Sequence, residues 1–403
     1  MRRLITPTII TIAVIAGWNR VPSLVDEPGG AAAAGVELFL PTPYVIFSPF
    51  SRTLDALTLL STAQAIALFV TIGVIVIAVK AHRGWKSGLL SLGATLLVIA
   101  ALEAAAVVLP RPMAALRASD PDVVRIDFHS HSGTSHDVRK SFTVEDNRDW
   151  HRDGGFDIAY VTDHVKFAGA EDGERRNPKR AGDGTSIITG MEGRYHKIMS
   201  TIVLGITSAD TALLDKRGNI LPGDKKSPRQ YVSVIAIPNR NLDSLSRAIL
   251  DSTVALPNLR AIELIDAAPR GLAQLDREEA KLRRIAAGLN LALISASNNH
   301  GWGRTVAGWN LMTLPGWQSM PPDTVASRIE NALIVNRGPV KLVHRTRPSL
   351  HGVAVAATLP VVAYQTLGTL TMPERLSWIG WTWLLALVAL FPVREASTRN
   401  QRA

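Results

Sequence analysis

The sequence predicts an α/β domain placed between membrane segments. Charge-free apolar stretches long enough to cross a bilayer lie on both sides of the middle of the chain. In that middle part, short β-branched runs alternate with charged, helix-compatible runs, which is typical of α/β folds. We therefore divide the 403 residues into a membrane region at 1–118, a soluble domain at 119–343 and a second membrane region at 344–403.

The composition excludes several classes of function. The chain has no cysteine, which excludes disulfides, thiolate metal sites and cysteine nucleophiles. Its formal net charge is +10, but much of the basic excess flanks apolar runs, as expected at membrane edges. We see no basic stripe with interleaved aromatic residues, so we expect no nucleic-acid partner. The sequence patterns of a serine nucleophile elbow and of a P-loop are also absent.

The N-terminal membrane region contains three apolar segments. Residues 4–19 follow Met-Arg-Arg and predict an uncleaved signal anchor, because no small-x-small cleavage site is obvious after them. The charge-free stretch between Asp55 and Lys80 and the segment 88–110 are long enough to cross a bilayer. Residues 38–50 are apolar but contain three prolines, so we assign no helix there and place them at the membrane interface.

The C-terminal membrane region contains two apolar segments, 348–373 and 376–393. Basic residues at 2–3 and in the loop 80–86 favour a cytoplasmic location for those parts, which would put the soluble domain outside the cytoplasm. Basic residues beside the soluble domain and at the C-terminus favour the opposite arrangement. Short loops are the better reporters, so we predict an integral membrane protein with an extracytoplasmic domain.

Seven strands and four helices are predicted in the soluble domain. The strands are 123–128, 157–162, 186–189, 201–206, 232–237, 261–265 and 291–295. The helices are 144–152, 242–250, 271–287 and 322–335. Seven strands with intervening helices predict a barrel or a wound sheet.

Polar side chains occur where several of these strands end. His129 and His131 follow the first strand, and alternate residues of a strand face the same way. Both imidazoles can therefore reach one metal ion, although a site needs further ligands. Convergence at one rim of a β/α barrel would supply them from later strand ends. Those ends have the sequences Thr-Asp163-His164, Gly-Met-Glu192 and Asn298-Asn-His300.

This series of motifs resembles the PHP family, named for polymerase and histidinol phosphatase, over residues 123–303. The order His-x-His, Thr-Asp-His, Gly-x-Glu and a final x-x-His is specific as a set. The resemblance implies a distorted (β/α)₇ barrel, here inserted between transmembrane helices. It also implies divalent metal ions and, for most members, hydrolysis of phosphoesters. Carried over by position, the implied ligands are His129, His131, His136, His164, Glu192, Asn298 and His300.

The sequence departs from the family pattern at three positions. A histidine of the family corresponds to about Thr201, the histidine of its His-Pro motif to Ile237, and an aspartate of its Asp-x-His motif to Asn298. Isoleucine cannot bind a metal, and asparagine is a weaker, neutral ligand. We therefore expect one or two ions per chain, of zinc, manganese or iron, rather than three.

The expected chemistry is hydrolysis by a metal-activated water. Glu192 would bridge two ions, and Asp163 is assigned with it to catalysis. Asp127 and Asp163 would also accept hydrogen bonds from the imidazole ligands, with a turn-capping role as the alternative for Asp163. Arg194 and Arg304 would bind a phosphate through their guanidinium groups, with structural or solvated roles as the alternatives.

Together these features predict a membrane-anchored, divalent-metal-dependent hydrolase, and a phosphoesterase in particular. The membrane segments suggest that its phosphoester substrate is lipid-linked or is met at the membrane surface. One alternative is a carboxylic ester hydrolase on the same barrel. Another is a degenerate metal-binding or sensory module without catalysis. A transporter is disfavoured because the predicted spans are few and nearly free of titratable groups.

Overall fold

The computed structural model describes residues 2–17, 20–27, 29–80, 84–195, 199–215, 219–220, 231–239, 242, 247, 258–335 and 340–390. The helices are α1 (Arg2–Ala16), α2 (Thr42–Ile46), α3 (Ser48–Thr58), α4 (Thr62–Lys80), α5 (Trp85–Val108), α6 (Val144–Asp153), α7 (Ala168–Arg175), α8 (Pro269–Leu289), α9 (Pro322–Val335), α10 (Thr358–Thr369) and α11 (Met372–Leu390). The strands are β1 (Leu24–Asp26), β2 (Ala31–Ala32), β3 (Val36–Phe39), β4 (Ala115–Ala118), β5 (Val123–Ser130), β6 (Ile158–Val161), β7 (Ser186–Tyr195), β8 (Met199–Leu204), β9 (Asn219–Ile220), β10 (Val232–Ile235), β11 (Leu259–Asp266), β12 (Ala292–Ala296), β13 (Gly308–Thr313) and β14 (Lys341–Arg345). The predicted helix at 242–250 falls largely outside the described residues.

One large mixed sheet organises the α/β part of the chain. Its path is β12-β11-β10-β8-β7-β6-β5-β13-β14-β1-β2, and β9 pairs with β7. The pairs β5–β6, β6–β7, β10–β11 and β11–β12 are parallel. Strand β8 runs antiparallel to both of its neighbours. Each of the seven strands predicted from the sequence has its counterpart here, in β5 to β8 and β10 to β12.

The sheet is not closed into the expected barrel by a continuous ladder, and β12 stands at one end of its path. Strands β5 and β12 nevertheless approach each other at their carboxyl ends. Asn298 N donates to His129 O at 2.9 Å, and His131 N donates to Asn299 O at 3.1 Å. The first and the last histidine motifs are therefore side by side.

Two of the predicted helices pack against the sheet. Helix α8 buries Leu272, Leu275 and Leu282 in one apolar cluster with residues of β10 and β11. Helix α9 buries Val325 and Ile329 in a second cluster, together with residues of β5 and β12. Burying apolar side chains is the main stabilising term in folding, so these two clusters fix the strands that end at the histidine motifs.

Three segments within the described residues are long and apolar enough to cross a membrane. They are α4, α5 and Gly352–Thr369, which includes α10, and α1 is a shorter apolar helix. Residues 38–50, where we assigned no helix, contain α2 and the start of α3. Their prolines Pro43 and Pro49 lie in the first turn of each helix, where proline is compatible with helical structure.

One end of each of the helices α4, α5 and α11 is attached to the soluble domain or to α3. In the first turn of α4, Gln64 Nε2 donates to Asp276 of α8 at 2.9 Å. In the last turn of α5, the carbonyl of Val107 accepts a hydrogen bond from Gly303 N at 2.8 Å. In the first turn of α11, Glu374 forms a buried ion pair with Arg52 of α3 at 2.5 Å.

Both ends of Gly352–Thr369 lie beside the same part of the molecule. Immediately before it, the carbonyl of Leu350 accepts a hydrogen bond from Gln64 of α4 at 3.1 Å. Within α10, Gln365 Nε2 donates to the carbonyl of Arg347 at 3.3 Å. Both ends of the segment therefore lie at the same level relative to the soluble domain.

Candidate metal centre

Strand β5 delivers two buried imidazoles to one place, as the His-x-His spacing predicts. The Nε2 atoms of His129 and His131 lie 3.0 Å apart. Each lies 3.3 Å from Oε2 of Glu192, which β7 contributes. His164, which follows β6, places its Nε2 atom 3.4 Å from the same oxygen. One carboxylate oxygen thus faces three imidazoles.

A second carboxylate extends this cluster toward solvent. Oδ2 of Asp137 lies 3.1 Å from Nε2 of His164 and 3.2 Å from Nε2 of His300. The ring of His131 connects the two parts, because its centroid lies 5.0 Å from that of His164 and 4.5 Å from that of His300. We call His129, His131 and Glu192 the buried half of the cluster, and His164, His300 and Asp137 its open half.

The donor atoms fit divalent metal ions. In each of the groups His129–His131–Glu192 and His131–His164–His300, the candidate ligand atoms lie within 4.8 Å of one another. Imidazole nitrogen and carboxylate oxygen suit zinc, manganese and iron. The close approach of the His129 and His131 Nε2 atoms brings two ring nitrogens together, which a shared cation would stabilise.

Glu263 orients His129 and was not identified from the sequence. Its Oε1 atom accepts a hydrogen bond from Nδ1 of His129 at 2.7 Å, and its other oxygen accepts one from Ile237 N at 2.8 Å. A proton on Nδ1 leaves Nε2 as the ligand atom. Glu263 is fully buried in β11. The sequence feature that could have identified Glu263 is an acidic residue within an apolar strand, because a buried carboxylate needs a hydrogen-bonding or charged partner.

Asp127 does not orient an imidazole ligand, so that expectation is wrong. Its carboxylate accepts hydrogen bonds from His151 Nε2 at 2.8 Å and from Ser297 Oγ at 2.5 Å. It therefore connects β5 with α6 and with the segment that follows β12. These contacts hold the strand ends on which the cluster depends.

Asp163 has the contacts of a turn-capping residue. It accepts hydrogen bonds from Ser132 N at 2.7 Å, Ser132 Oγ at 2.6 Å and Thr134 Oγ1 at 2.5 Å. Its nearest approach to His131 Nδ1 is 3.9 Å, which is too long for a hydrogen bond. The expectation that it orients an imidazole is wrong, and its assigned part in catalysis stays a prediction.

Asp137 enters the open half one residue after the predicted ligand His136. The His136 side chain is exposed, with its ring 4.9 Å from that of His164. His136, Asp137 and His164 together form a further possible ligand group. In the family that the sequence resembles, the first motif ends with aspartate or histidine, and here both residue types are adjacent. Sequence alone therefore could not select between them.

The backbone of Asn298 helps to orient His300. Its carbonyl accepts a hydrogen bond from Nδ1 of His300 at 2.7 Å, which directs Nε2 of that ring to the cluster. Its side-chain amide donates to Asp266 Oδ2 at 3.0 Å. Its Oδ1 atom is buried and has no hydrogen-bond partner within the described residues, so the assignment of Asn298 as a metal ligand stays a prediction.

The two predicted phosphate-binding arginines have different surroundings. Arg194 is exposed on β7, two residues beyond Glu192. Arg304 pairs with Asp153 of α6 at 2.5 Å and donates to the carbonyl of Arg111 at 3.2 Å. Those partners lie outside the cluster, so the contacts of Arg304 are structural.

Electrostatics concentrate positive charge at His129 and negative charge at Glu192. Burial by itself lowers the pKa of His129, but the charges and hydrogen bonds of Glu263 and Glu192 outweigh it and hold that pKa well above the usual value. Burial raises the pKa of Glu192, but hydrogen bonds from His129 and His131 hold it well below the usual value. Burial, with nearby positive imidazoles, lowers the pKa of His131 to about 4. The carboxylates of Glu192 and Glu263 therefore stabilise positive charge at His129, and a metal ion bound to Nε2 would replace the proton that carries this charge.

The sequence matches no known family model and no curated protein. Solved structures with a similar chain path include PsfC from Pseudomonas syringae PB-5123, at a TM-score of 0.36 and 15% identity over 60% of this chain and 96% of that chain. They also include the lesion-specific endonuclease PfuEndoQ from Pyrococcus furiosus, at 0.37 and 15% over 52% of this chain and 56% of that chain. A third is a two-domain protein from Bacteroides vulgatus containing a predicted PHP-like metal-dependent phosphoesterase, at 0.33 and 12% over 55% of this chain and 65% of that chain. At these TM-scores and identities the similarity assigns no function to this chain.

Proposed function

We propose that the chain is a membrane-anchored, divalent-metal-dependent phosphoesterase built on a PHP-type barrel. The observation that carries the proposal is the convergence of His129, His131, His164 and His300 around one carboxylate oxygen of Glu192 and one of Asp137. These groups come from distant parts of the chain. They follow the order of the family motifs.

The residues of the chain prepare this site for metal ions before a substrate arrives. Glu263 holds the proton of His129 on Nδ1, and the carbonyl of Asn298 holds that of His300 in the same way. Both rings then present Nε2 to the cluster. Glu192 is the residue suited to bridge the two halves, since its Oε2 atom lies within reach of three imidazoles.

A bound divalent ion would lower the pKa of a coordinated water and polarise a phosphoryl oxygen. The open half faces solvent with its imidazoles and with Asp137, so a phosphoester can approach from that side. Arg194 is the remaining candidate for holding a phosphate oxygen, because Arg304 is engaged elsewhere. Ile237 offers only its backbone N–H, which supports the proposal of one or two ions rather than three.

The proposed location of the soluble domain is outside the cytoplasm. Helices α4 and α5 each have one end beside the domain, and α11 has one end beside α3. Helix α1 packs with α11 through Trp383 Nε1 and Thr11 Oγ1 at 3.1 Å. Their other ends lead to residues 2–3, 80–86 and 391–403. Those stretches contain two, three and three basic residues. A basic excess on one side favours the cytoplasm for that side.

The test is metal-dependent hydrolysis of an aryl phosphate by the purified full chain. We expect turnover with added manganese or zinc, and a loss of roughly a hundredfold or more when His129 and His131 are both replaced by alanine. His351→Ala is the matched control, because His351 is an exposed histidine outside the cluster. An unchanged rate in the double variant would contradict the assignment of this site. Turnover of an aryl ester alone would favour a carboxylic ester hydrolase.

A further inference from the structure

The loop that follows the ligand His300 is attached to the membrane region. Gly303 N donates to the carbonyl of Val107, in the last turn of α5, at 2.8 Å. Two residues later, Thr305 Oγ1 donates to Asp55 of α3 at 2.9 Å. The rim of the domain that carries the open half is therefore joined to the end of a long apolar helix.

The same place has the side chains of a membrane interface. Val108 and Leu109, where α5 ends, are each 52% exposed, and Trp302 in the attached loop is 49% exposed. The guanidinium of Arg139 lies 5.7 Å from the ring centroid of Trp302. Tryptophan favours the level of the lipid head groups, and arginine attracts their anionic groups. We call Arg139 and Trp302 the interfacial shelf.

The interfacial shelf lies close to the open half of the cluster. Arg139 N donates to the carbonyl of His300 at 3.1 Å. The three steps along the backbone from His300 to Gly303 span at most roughly 10 Å. The head-group layer on each side of a bilayer is about 5–8 Å thick. A lipid head group can therefore come within reach of the cluster while its acyl chains stay in the bilayer.

We propose that the substrate is the phosphoester head group of a membrane lipid, received at the interfacial shelf with its acyl chains beside the end of α5. This inference rests on the proposed phosphoesterase function and names its substrate class. Charge complementarity supports it, because Arg139 and the exposed Lys166 stand around the open half and the head group is anionic. The exposed Val165, next to the ligand His164, adds apolar surface at the same rim.

The experiment compares two phosphomonoesters with the full chain in lipid nanodiscs. One is dioleoyl phosphatidic acid in the disc, and the other is a water-soluble aryl phosphate, with phosphate release measured for each. We expect kcat/KM for the lipid to exceed that for the aryl phosphate by about tenfold or more. Trp302→Ala should lower the ratio of lipid to aryl phosphate turnover by about tenfold, and Trp302→Phe should largely restore it.

Trp85→Ala is the matched control for the tryptophan variant. Trp85 is also exposed and has a basic side chain, Lys86, 5.8 Å from its ring centroid, but it lies at the opposite end of α5. We expect this variant to leave the ratio unchanged.

Two results would overturn the lipid proposal while the proposed phosphoesterase function survives. The first is turnover of the aryl phosphate with no release from phosphatidic acid, and the second is equal behaviour of Trp302→Ala and Trp85→Ala toward the lipid. Metal-loaded protein that hydrolyses neither substrate would overturn the phosphoesterase function, and the substrate assignment with it.

Discussion

Replacing Asp55 by asparagine removes the charge at the junction between the membrane region and the soluble domain. Asp55 is 1% exposed. Its carboxylate accepts hydrogen bonds from Tyr44 Oη at 2.7 Å and Thr305 Oγ1 at 2.9 Å. It also forms ion pairs with Arg111 and Arg345, both at 2.6 Å. Arg111 precedes the soluble domain in the sequence and Arg345 follows it. The Asp55 carboxylate therefore connects the segments at the two ends of the domain.

The loss in free energy of unfolding follows from the buried groups that remain after the substitution. Asparagine has nearly the same size, so the packing is retained, but two buried guanidinium groups lose their counter-charge. Removing one partner of a buried ion pair costs about 3–5 kcal/mol. The free energy of unfolding of a whole domain is about 5–15 kcal/mol. We therefore expect the melting temperature of Asp55→Asn to fall by about 5 °C or more.

Thermal unfolding of the full chain in detergent, followed by circular dichroism, measures this change. Asp183→Asn is the matched control, because Asp183 pairs with Arg180 at 2.9 Å on the surface, where a pair contributes about 1 kcal/mol or less. Equal melting temperatures for the two variants would refute the argument. Because Asp55 also holds Thr305 in the loop after His300, Asp55→Asn should weaken metal binding as well.

Three further predictions concern the metal site and pH. Asp137→Ala should lower the number of ions bound per chain more than His136→Ala does, because only Asp137 lies within 3.2 Å of Nε2 of His300; equal metal content in the two variants would count against the open half. Glu263→Gln should weaken metal affinity about 10–100-fold in chelator competition, because the carboxylate that fixes the His129 tautomer is lost. An unchanged affinity would contradict this role of Glu263. Burial raises the pKa of Asp55, but nearby guanidinium groups outweigh it and hold that pKa far below the usual range. The stability that Asp55 supplies is therefore present above its unfolded-state pKa of about 3.9 and is lost as the pH falls through the lower folded value. The advantage of the wild type over Asp55→Asn in urea unfolding should be larger at pH 7 than at pH 3, and equal differences would contradict the ion-pair assignment.

Strands and histidine motifs were predictable because both depend on local pattern. Strand β5 is an apolar run ending in His129-Ser-His131, and the two-residue period alone places both imidazoles on one side. Helix α8 was predicted from its apolar periodicity for the same reason. The membrane segments α4 and α5 follow from length and composition.

The other features of the site and of the junction could not be predicted, because they depend on contacts between residues that are distant in the sequence. Glu263 lies in an apolar run without any motif, and only the three-dimensional structure brings it to His129. The choice between His136 and Asp137 depends on how the loop after His131 turns. Asp127 was assigned to an imidazole ligand because it is near one in sequence, whereas its partner His151 comes from α6. The junction at Asp55 joins residues up to 290 positions apart, which no sequence pattern marks.

Metal content of the purified full chain tests the central claim most directly. The measurement is the number of zinc, manganese or iron ions per chain after equilibration with each metal and removal of free ion. We expect one or two ions per wild-type chain and a clear loss in the variant with His129 and His131 both replaced by alanine. Folded wild-type protein that holds no metal and takes none up would contradict the claim that this cluster is a metal centre.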